Sequence, residues 1–339
     1  MGADLLGPLL RDVSRSFHLT LRILPAPVRR PIGLGYLLAR MTDTIADTTL
    51  VPVADRLAAL EALGGRIEGT RSDPLDFRHL TAPGTADHAG TPAERQILLR
   101  VEEAIQVLGS LEAADREAVR GVLRTITSGQ ALDLQRFGLA DASRIVALAA
   151  PAELDDYTYR VAGCVGGFWT RLCHRHLFPQ AGAKLGTLLG DGIRLGRGLQ
   201  LVNILRDLPR DLRAGRCYLP ANELAEVQLR PADLLDSLSE PRLRPVYRRW
   251  LDLADAHLAA GWRYTCQLPY GQARLRLGCA WPVLIGIQTT RRLRTANVLD
   301  LSQRVKISRR EVRKILLSTL WRLPFPRAWR RLGPGEDAR

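Results

Sequence analysis

Apolar residues recur at spacings of three and four along most of the chain, and strand-like alternation is scarce. This period is typical of amphipathic α-helices and predicts an all-α fold. The first helical region runs from residue 5 to about residue 66 and is broken at "LPAPVRRP". A polar stretch rich in proline and glycine predicts a long loop over 70–94. Helical pattern resumes near Arg95 and continues, with short breaks, to about Arg213.

Further breaks at "AGRCYLP" and "PYGQARLRLG" separate the C-terminal helices. Residues 312–332 are basic and apolar together, and Trp321, Phe325 and Trp329, which are flanked by arginines, are expected to rest in a membrane interface. A frayed tail is expected over 334–339. We predict one domain over 1–333. No stretch approaches the roughly 20 apolar residues that a membrane span needs. The N-terminus lacks a basic region followed by an apolar one, so no signal peptide is expected.

Two predicted helices place acidic residues one turn apart on a polar face. In "ARMTDTIADT", residues 39–48, Asp43 and Asp47 share a face with Arg40 and with the preceding Tyr36. The opposite face is apolar and carries Leu34, Leu37, Leu38, Met41 and Ile45.

The same arrangement occurs about 160 residues later in "GLQLVNILRDLPRD", residues 198–211. Its polar face carries Gln200, Asn203, Asp207 and Asp211, with Arg206 beside it, whereas Leu201, Val202, Leu205 and Leu208 turn away. Pro209 lacks a backbone N–H and is expected to interrupt this helix before Asp211.

One acidic pair alone is typical of a solvated helix face, but two pairs with adjacent arginines favour a shared site. Paired carboxylates suit Mg²⁺, which takes oxygen ligands and usually bridges to substrate phosphates. Arginine supplies planar donors to the same phosphate oxygens.

A third segment, "YTYRVAGCVGGFWTR" (157–171), places small residues on one helical face. Glycine in a helix interior costs about 1 kcal/mol relative to alanine, so its repetition needs a cause. Close helix packing is one interpretation. Room for a long apolar chain beside Tyr157 or Tyr159 is the other, and spacing does not separate the two tyrosines.

The formal net charge of +14, which comes almost entirely from arginine, favours polyanionic partners. These partners include diphosphates, anionic lipid and nucleic acid. Aromatic residues make up only 6% of the chain, which counts against base stacking and nucleic-acid binding. The five cysteines are scattered, without a CxxC, which fits a reducing cytoplasm.

These motifs together resemble the squalene/phytoene synthase family. The resemblance runs from "SRSF" (14–17) through "YLLARMTDTIAD", "YRVAGCVG" and "LQLVNILRDLPRD" to "GRCYLP" (215–220). It implies one all-α isoprenoid-synthase domain whose two aspartate motifs face each other across a central cavity. A basic segment near the C-terminus, "RVKISRREVRKIL", also resembles the family.

The resemblance further implies roles for individual residues. Asp43, Asp47, Asp207 and Asp211 would bind Mg²⁺, and Arg15, Arg40, Arg206 and Arg216 would hold diphosphate. Tyr36 and Tyr159 (with Tyr157 as the alternative) would lie near the carbocation. Ser16, Gln200, Asn203 and Lys306 would lie on the NADPH side. Arg160 stands where animal squalene synthases place a tyrosine, which leaves the catalytic tyrosine open.

"SRSF" with "TDTIAD" looks more like squalene synthases than phytoene synthases. The expected reaction is head-to-head joining of two farnesyl diphosphates through presqualene diphosphate, followed by NADPH-dependent reduction to squalene. Phytoene or dehydrosqualene synthesis is the alternative, and a terpene cyclase or a basic RNA- or membrane-binding protein is less favoured. We expect a cytoplasmic enzyme in peripheral contact with anionic membrane, and no protein partner is predicted.

Overall fold

The computed structural model describes residues 5–14, 18–48, 51–81, 91–180, 184–303 and 305–334. Helices dominate these residues, as the periodicity predicted. The chain divides into two compact units, one comprising 1–138 with 171–177 and the other 139–170 with 178–339. No helix in the described ranges combines the length and hydrophobicity that crossing a bilayer requires.

The first unit is built on one long amphipathic helix. Its α-helices are α1 (Leu10–Ser14), α2 (His18–Ile23), α3 (Ala26–Asp47), α4 (Val53–Glu68), α5 (Pro92–Leu99), α6 (Val101–Gly109) and α7 (Ala113–Phe137), with a short π-helix (Leu5–Leu9) before α1 and a 3₁₀ turn (Arg78–Leu80) after α4. Helix α3 packs on α4, α5, α6 and α7. Thr91 caps α5 through a reciprocal hydrogen-bond pair with Glu94, so this helix begins at Pro92, before the Arg95 expected from periodicity.

Besides three short 3₁₀ turns (Pro231–Leu235, Ser237–Ser239 and Leu301–Gln303), the second unit contains the remaining α-helices and a π-turn. They are α8 (Pro151–Thr158), a π-turn (Tyr159–Gly163), α9 (Cys164–Leu177, whose last seven residues belong to the first unit), α10 (Leu185–Arg213), α11 (Ala221–Glu226), α12 (Glu240–Gln267), α13 (Ala273–Leu293), α14 (Arg309–Arg322) and α15 (Pro326–Arg330). Two short parallel strands, β1 (Val146–Ala147) and β2 (Arg216–Cys217), pair beside α10.

Helix α10 packs most extensively on α12, and α13 covers both. Glycine allows the close approach, because a methyl group at Gly198 would lie 2.9 Å from the Cβ of His257. The side chains that fill this core include Leu201, Leu205, Leu208, Tyr247, Leu251 and Leu258, all buried.

The expectation that Trp329 faces the membrane together with Trp321 and Phe325 is wrong. Trp329 is fully buried, and its ring stacks on Trp262 with centroids 5.6 Å apart. Trp321 and Phe325 are exposed. The difference arises because α15 turns back onto α12, where the Trp262 indole also donates to the Arg330 carbonyl at 3.1 Å.

Candidate functional site

The first acidic motif lies on the C-terminal half of α3. The predicted apolar face is confirmed, since Leu34, Leu37, Leu38, Met41 and Ile45 are all fully buried. Tyr36, Arg40 and Asp43 are half-buried and Asp47 is exposed on the other face. The Arg40 guanidinium lies 3.5 Å from the Asp43 carboxylate. The structure therefore groups these four residues as the 3.6-residue period predicts.

The Asp43 carboxylate has an unusual electrostatic environment. Burial among protein atoms, followed by the negative charge of Asp47, raises its pKa from 3.8 to about 6, although Arg40 and Gln130 act in the opposite direction. Solvent still reaches 45% of the Asp43 side chain. The motif is thus open to a ligand, and a bound cation would offset both the burial and the repulsion.

Two residues that sequence reasoning missed complete this motif. Buried Glu94 on α5 forms an ion pair with Arg40, and the Gln130 amide on α7 donates to Asp43. Burial alone would lower the pKa of Arg40, but the hydrogen bond with Glu94 and the charge of Asp43 raise it overall. The "TPAE" capping signature predicts the helix that carries Glu94, but no sequence signal pairs it with Arg40.

Unsatisfied polar atoms remain in the same cluster. Among the described residues, neither the buried Nε of Arg40 nor the buried Oε1 of Gln130 has a hydrogen-bond partner. A buried donor or acceptor without a hydrogen bond lowers the stability of the folded protein. A polar ligand or an ordered water would supply the missing hydrogen bonds. The donor suits a phosphate oxygen and the acceptor suits a cation or its bound water.

The second acidic motif lies near the C-terminal end of α10. Leu201, Val202, Leu205 and Leu208 are buried as predicted, while Gln200, Asn203, Asp207 and Asp211 keep solvent access on the opposite face. Arg206 donates through Nε and Nη2 to the two oxygens of Asp207, at 2.9 and 2.6 Å. This hydrogen bonding raises the pKa of Arg206. In this chain Arg206 therefore neutralises Asp207 itself.

The expectation that Pro209 interrupts the helix before Asp211 is wrong. Helix α10 continues through Pro209 to Arg213, so Asp207 and Asp211 stay on one helical face. Proline removes the N–H that would pair with the carbonyl of Leu205. The hydroxyl of Tyr247 on α12 donates to that carbonyl at 2.9 Å and replaces the missing donor.

The candidate tyrosines have different surroundings. The Tyr157 ring stacks on that of Tyr218, with centroids 4.8 Å apart, and the hydroxyls are 3.3 Å apart. Tyr159 is 36% exposed, and the Arg197 guanidinium lies 5.3 Å from its ring centroid. Tyr159 is thus the more accessible of the two. Its catalytic role stays a prediction.

The glycine-rich face is explained by close packing. A methyl group at Gly166 would lie 1.9 Å from the Gly192 carbonyl oxygen, and one at Gly196 would lie 2.1 Å from that of Ala162. The backbones of α9 and α10 therefore touch at Gly166. This contact occupies the space that the alternative interpretation assigned to an apolar chain.

The remaining predicted residues are spread out. Arg216 is half-buried on β2, and Lys306 is exposed, with its backbone carbonyl accepting from Arg292. Arg15 and Ser16 lie outside the described residues. Within the described ranges, no group of three or more His, Cys, Asp or Glu side chains is arranged to hold a metal by itself. Each acidic motif therefore offers two carboxylates, a number that leaves ligand positions to substrate oxygens and water.

The chain is similar to a known protein family and to several of its members. The squalene/phytoene synthase model matches residues 10–311. A presqualene diphosphate synthase from Rhodopseudomonas palustris is 31% identical over 251 residues, which cover 72% of this chain and 72% of that protein. A phytoene synthase from Rhodobacter capsulatus is 30% identical over 248 residues, covering 73% of this chain and 60% of that protein.

A solved complex of TcSQS with the ligand E5700 matches 98% of this chain and 92% of its own, with a TM-score of 0.75 at 20% identity. That likeness confirms the predicted all-α isoprenoid-synthase fold. The family match covers most of the chain and includes both acidic motifs. The chain belongs to the squalene/phytoene synthase family and is a prenyltransferase of that type.

Proposed function

We propose that this protein joins two farnesyl diphosphates head to head to give presqualene diphosphate. The observation that carries the proposal is the pair of acidic motifs, each with two carboxylates one helical turn apart and an arginine in contact with one of them. The relative named presqualene diphosphate synthase supports this substrate class.

The donor set of each motif fits Mg²⁺. Asp43 and Asp47 in one motif, and Asp207 and Asp211 in the other, would hold it, and bound Mg²⁺ would supply positive charge to the leaving diphosphate. The raised pKa of Asp43 supports this assignment, since the pair resists full ionisation without a cation. Arginine side chains would bind the remaining phosphate oxygens.

Arg40 and Arg206 would play different parts in binding diphosphate. Arg40 is held by Glu94 on one side and keeps a buried Nε without a partner among the described residues, so it is preorganised for an anion. Arg206 is paired with Asp207 and must exchange that carboxylate for phosphate when substrate enters. The positive charge thus meets the negative charge that develops as the carbon–oxygen bond breaks.

Reduction to squalene is a second candidate step, favoured by polar groups beside the second motif. Gln200 and Asn203 retain solvent access on the Asp207 face of α10, where amides can contact a nicotinamide carboxamide. Lys306 is exposed, and its ammonium group would pair with a cofactor phosphate. NADPH would supply a hydride that quenches the carbocation formed from presqualene diphosphate.

The deciding experiment is a product assay with labelled farnesyl diphosphate and Mg²⁺, with and without NADPH. We expect presqualene diphosphate without NADPH and squalene with it; presqualene diphosphate as the end product in both cases would refute the reductive step. EDTA and Asp207→Ala should abolish product, whereas Asp73→Ala, an exposed carboxylate in the 70–94 loop, should not.

Other products would overturn the proposal. Phytoene formed from geranylgeranyl diphosphate, without presqualene diphosphate from farnesyl diphosphate, would make this a phytoene synthase. A cyclic hydrocarbon from a single farnesyl diphosphate would make it a terpene cyclase.

We also propose that the C-terminal helices rest on an anionic membrane. Leu317, Leu320, Trp321 and Phe325 are each at least half-exposed, and Trp321 is 77% exposed. Exposed basic side chains lie among them, namely Arg313, Lys314, Arg322 and Arg327. Apolar side chains ringed by positive charge fit an interface with anionic lipid.

Vesicle binding tests the membrane proposal. The Trp321→Ser, Leu317→Ser double variant should bind phosphatidylglycerol-containing vesicles at least tenfold more weakly, with unchanged activity in detergent. Leu238→Ser removes a leucine elsewhere that is more exposed than Leu317, and this variant should bind normally. Unchanged binding by the double variant would refute the proposal. Point substitutions are preferable to deleting 321–339, since deletion would also remove the buried Trp329.

A further inference from the structure

Helix α10 contains a proline between the two carboxylates of its acidic motif. Pro209 lies two residues after Asp207 and two before Asp211. A proline within a helix removes one hydrogen bond, and its ring crowds the carbonyl four residues earlier, which kinks or breaks the helix. That carbonyl belongs to Leu205, which is buried.

A side chain from a neighbouring helix compensates for the lost donor. Tyr247 on α12 is fully buried and donates its hydroxyl to the Leu205 carbonyl at 2.9 Å. Burial raises the pKa of Tyr247, so the hydroxyl keeps its proton. One turn later, the Arg213 guanidinium donates to the Pro209 carbonyl at 2.8 Å.

The position of this hydrogen bond connects it to the acidic motif. A change in helix direction at residue 209 would rotate Asp211 relative to Asp207, because the two residues lie on opposite sides of the proline. A displacement of about 1 Å at a reacting group can cost about 100-fold in rate. The hydrogen bond from α12 opposes that rotation.

We propose that Tyr247 is a positioning residue, whose hydroxyl replaces the donor that Pro209 removes and so keeps Asp207 and Asp211 aligned. The alignment has a catalytic consequence only if these carboxylates bind Mg²⁺, and in that respect the inference rests on the proposed function. The hydrogen bond itself does not. Tyr247 acts through the backbone of α10, where its hydroxyl contacts the Leu205 carbonyl.

A double-mutant cycle tests the inference. Tyr247→Phe leaves the Leu205 carbonyl buried without a donor, and should lower kcat about 10- to 100-fold and raise the Mg²⁺ concentration needed for half-maximal rate. Pro209→Ala restores the backbone N–H. In the Pro209→Ala background, Tyr247→Phe should therefore change both quantities less than threefold.

Tyr264→Phe is the matched control. Tyr264 is a buried tyrosine on the same helix, and its hydroxyl lies 3.2 Å from that of Thr170. Tyr264→Phe should change kcat and the Mg²⁺ requirement by the same factor in the wild-type and in the Pro209→Ala background. A purely structural role for Tyr247 would likewise give equal effects in the two backgrounds.

The same cycle is read in urea unfolding midpoints, which do not depend on the reaction. The loss of stability caused by Tyr247→Phe should shrink in the Pro209→Ala background even if the protein makes no prenyl product. Additive midpoints would overturn the inference and leave the proposed function intact. If the urea midpoints are non-additive but no Mg²⁺-dependent product forms, the proposed function is overturned. The catalytic consequence then fails with it, whereas the role of the hydrogen bond in the fold is established.

Discussion

The contact between α9 and α10 provides the most direct test of how the glycines are used. In Gly166→Ala the new methyl group would lie 1.9 Å from the Gly192 carbonyl oxygen and 2.5 Å from its carbon. Real contacts of this kind stay above 3.0 Å, so the two backbones must separate by about 1 Å. Backbone atoms cannot rotate away as a flexible side chain can.

The magnitude follows from two opposing effects. Overpacking a close contact costs about 1–3 kcal/mol, and the rigid neighbour puts this site at the upper end. Alanine returns about 1 kcal/mol through its better helix propensity. The net loss of unfolding free energy is therefore about 2 kcal/mol. With an unfolding entropy of about 2.1 cal/mol/K per residue, a chain of 339 residues loses about 1.4 °C in Tm per kcal/mol, so Tm should fall by about 3 °C.

Gly190→Ala is the matched control on α10. Gly190 is exposed, and a methyl group there would meet no atom within 4 Å. It should raise Tm by about 1–1.5 °C, since helix propensity acts without a clash. Thermal unfolding followed by circular dichroism at 222 nm measures both variants.

The competing interpretation makes a different prediction. If the glycine face were free space for a prenyl chain, Gly166→Ala would keep its Tm and would instead shorten the chain length that the enzyme accepts. Equal Tm values for Gly166→Ala and Gly190→Ala would refute the close-packing explanation.

Three further predictions concern the acidic motifs. Asp43→Asn should reduce turnover by orders of magnitude while the protein stays folded. Because the pKa of Asp43 is raised from 3.8 to about 6, the metal-free wild type should lose stability as pH rises from about 4 to about 6, and Asp43→Asn should lack that loss in a Tm series across pH. Asp211→Ala should reduce kcat as severely as Asp207→Ala, because α10 continues past the proline; a much milder effect would mean that the helix ends earlier in solution. Glu94→Gln should raise KM for farnesyl diphosphate more than it lowers kcat, since it frees Arg40 from its buried partner; an unchanged KM would exclude this role.

The sequence by itself determined the helices and the direction in which each face points. A helix brings residues three and four apart together regardless of what surrounds it, so Arg40, Asp43 and Asp47 share a face by local geometry. The opposite rows of leucine are buried because apolar surface leaves water wherever a core exists. The motifs could therefore be recognised before any tertiary contact was known.

Contacts between distant segments were decided only by tertiary structure. Glu94 is 54 residues from Arg40, and Gln130 is 87 residues from Asp43, and neither pairing follows from spacing or composition. The burial of Trp329 could not be predicted from sequence either, because basic and apolar residues surround it just as they surround the exposed Trp321. The burial of Trp329 depends on where α15 meets α12.

Pro209 shows how tertiary structure overrides a local rule. The loss of a backbone donor is a property of proline alone, and it predicts a broken helix. Whether the helix breaks depends on whether another donor can reach the Leu205 carbonyl that the proline leaves without its N–H partner, and here Tyr247 does so from 42 residues away. The glycine face is a parallel case, since a sequence of small residues permits either a gap or a contact, and only the placement of Gly192 against Gly166 makes it a contact.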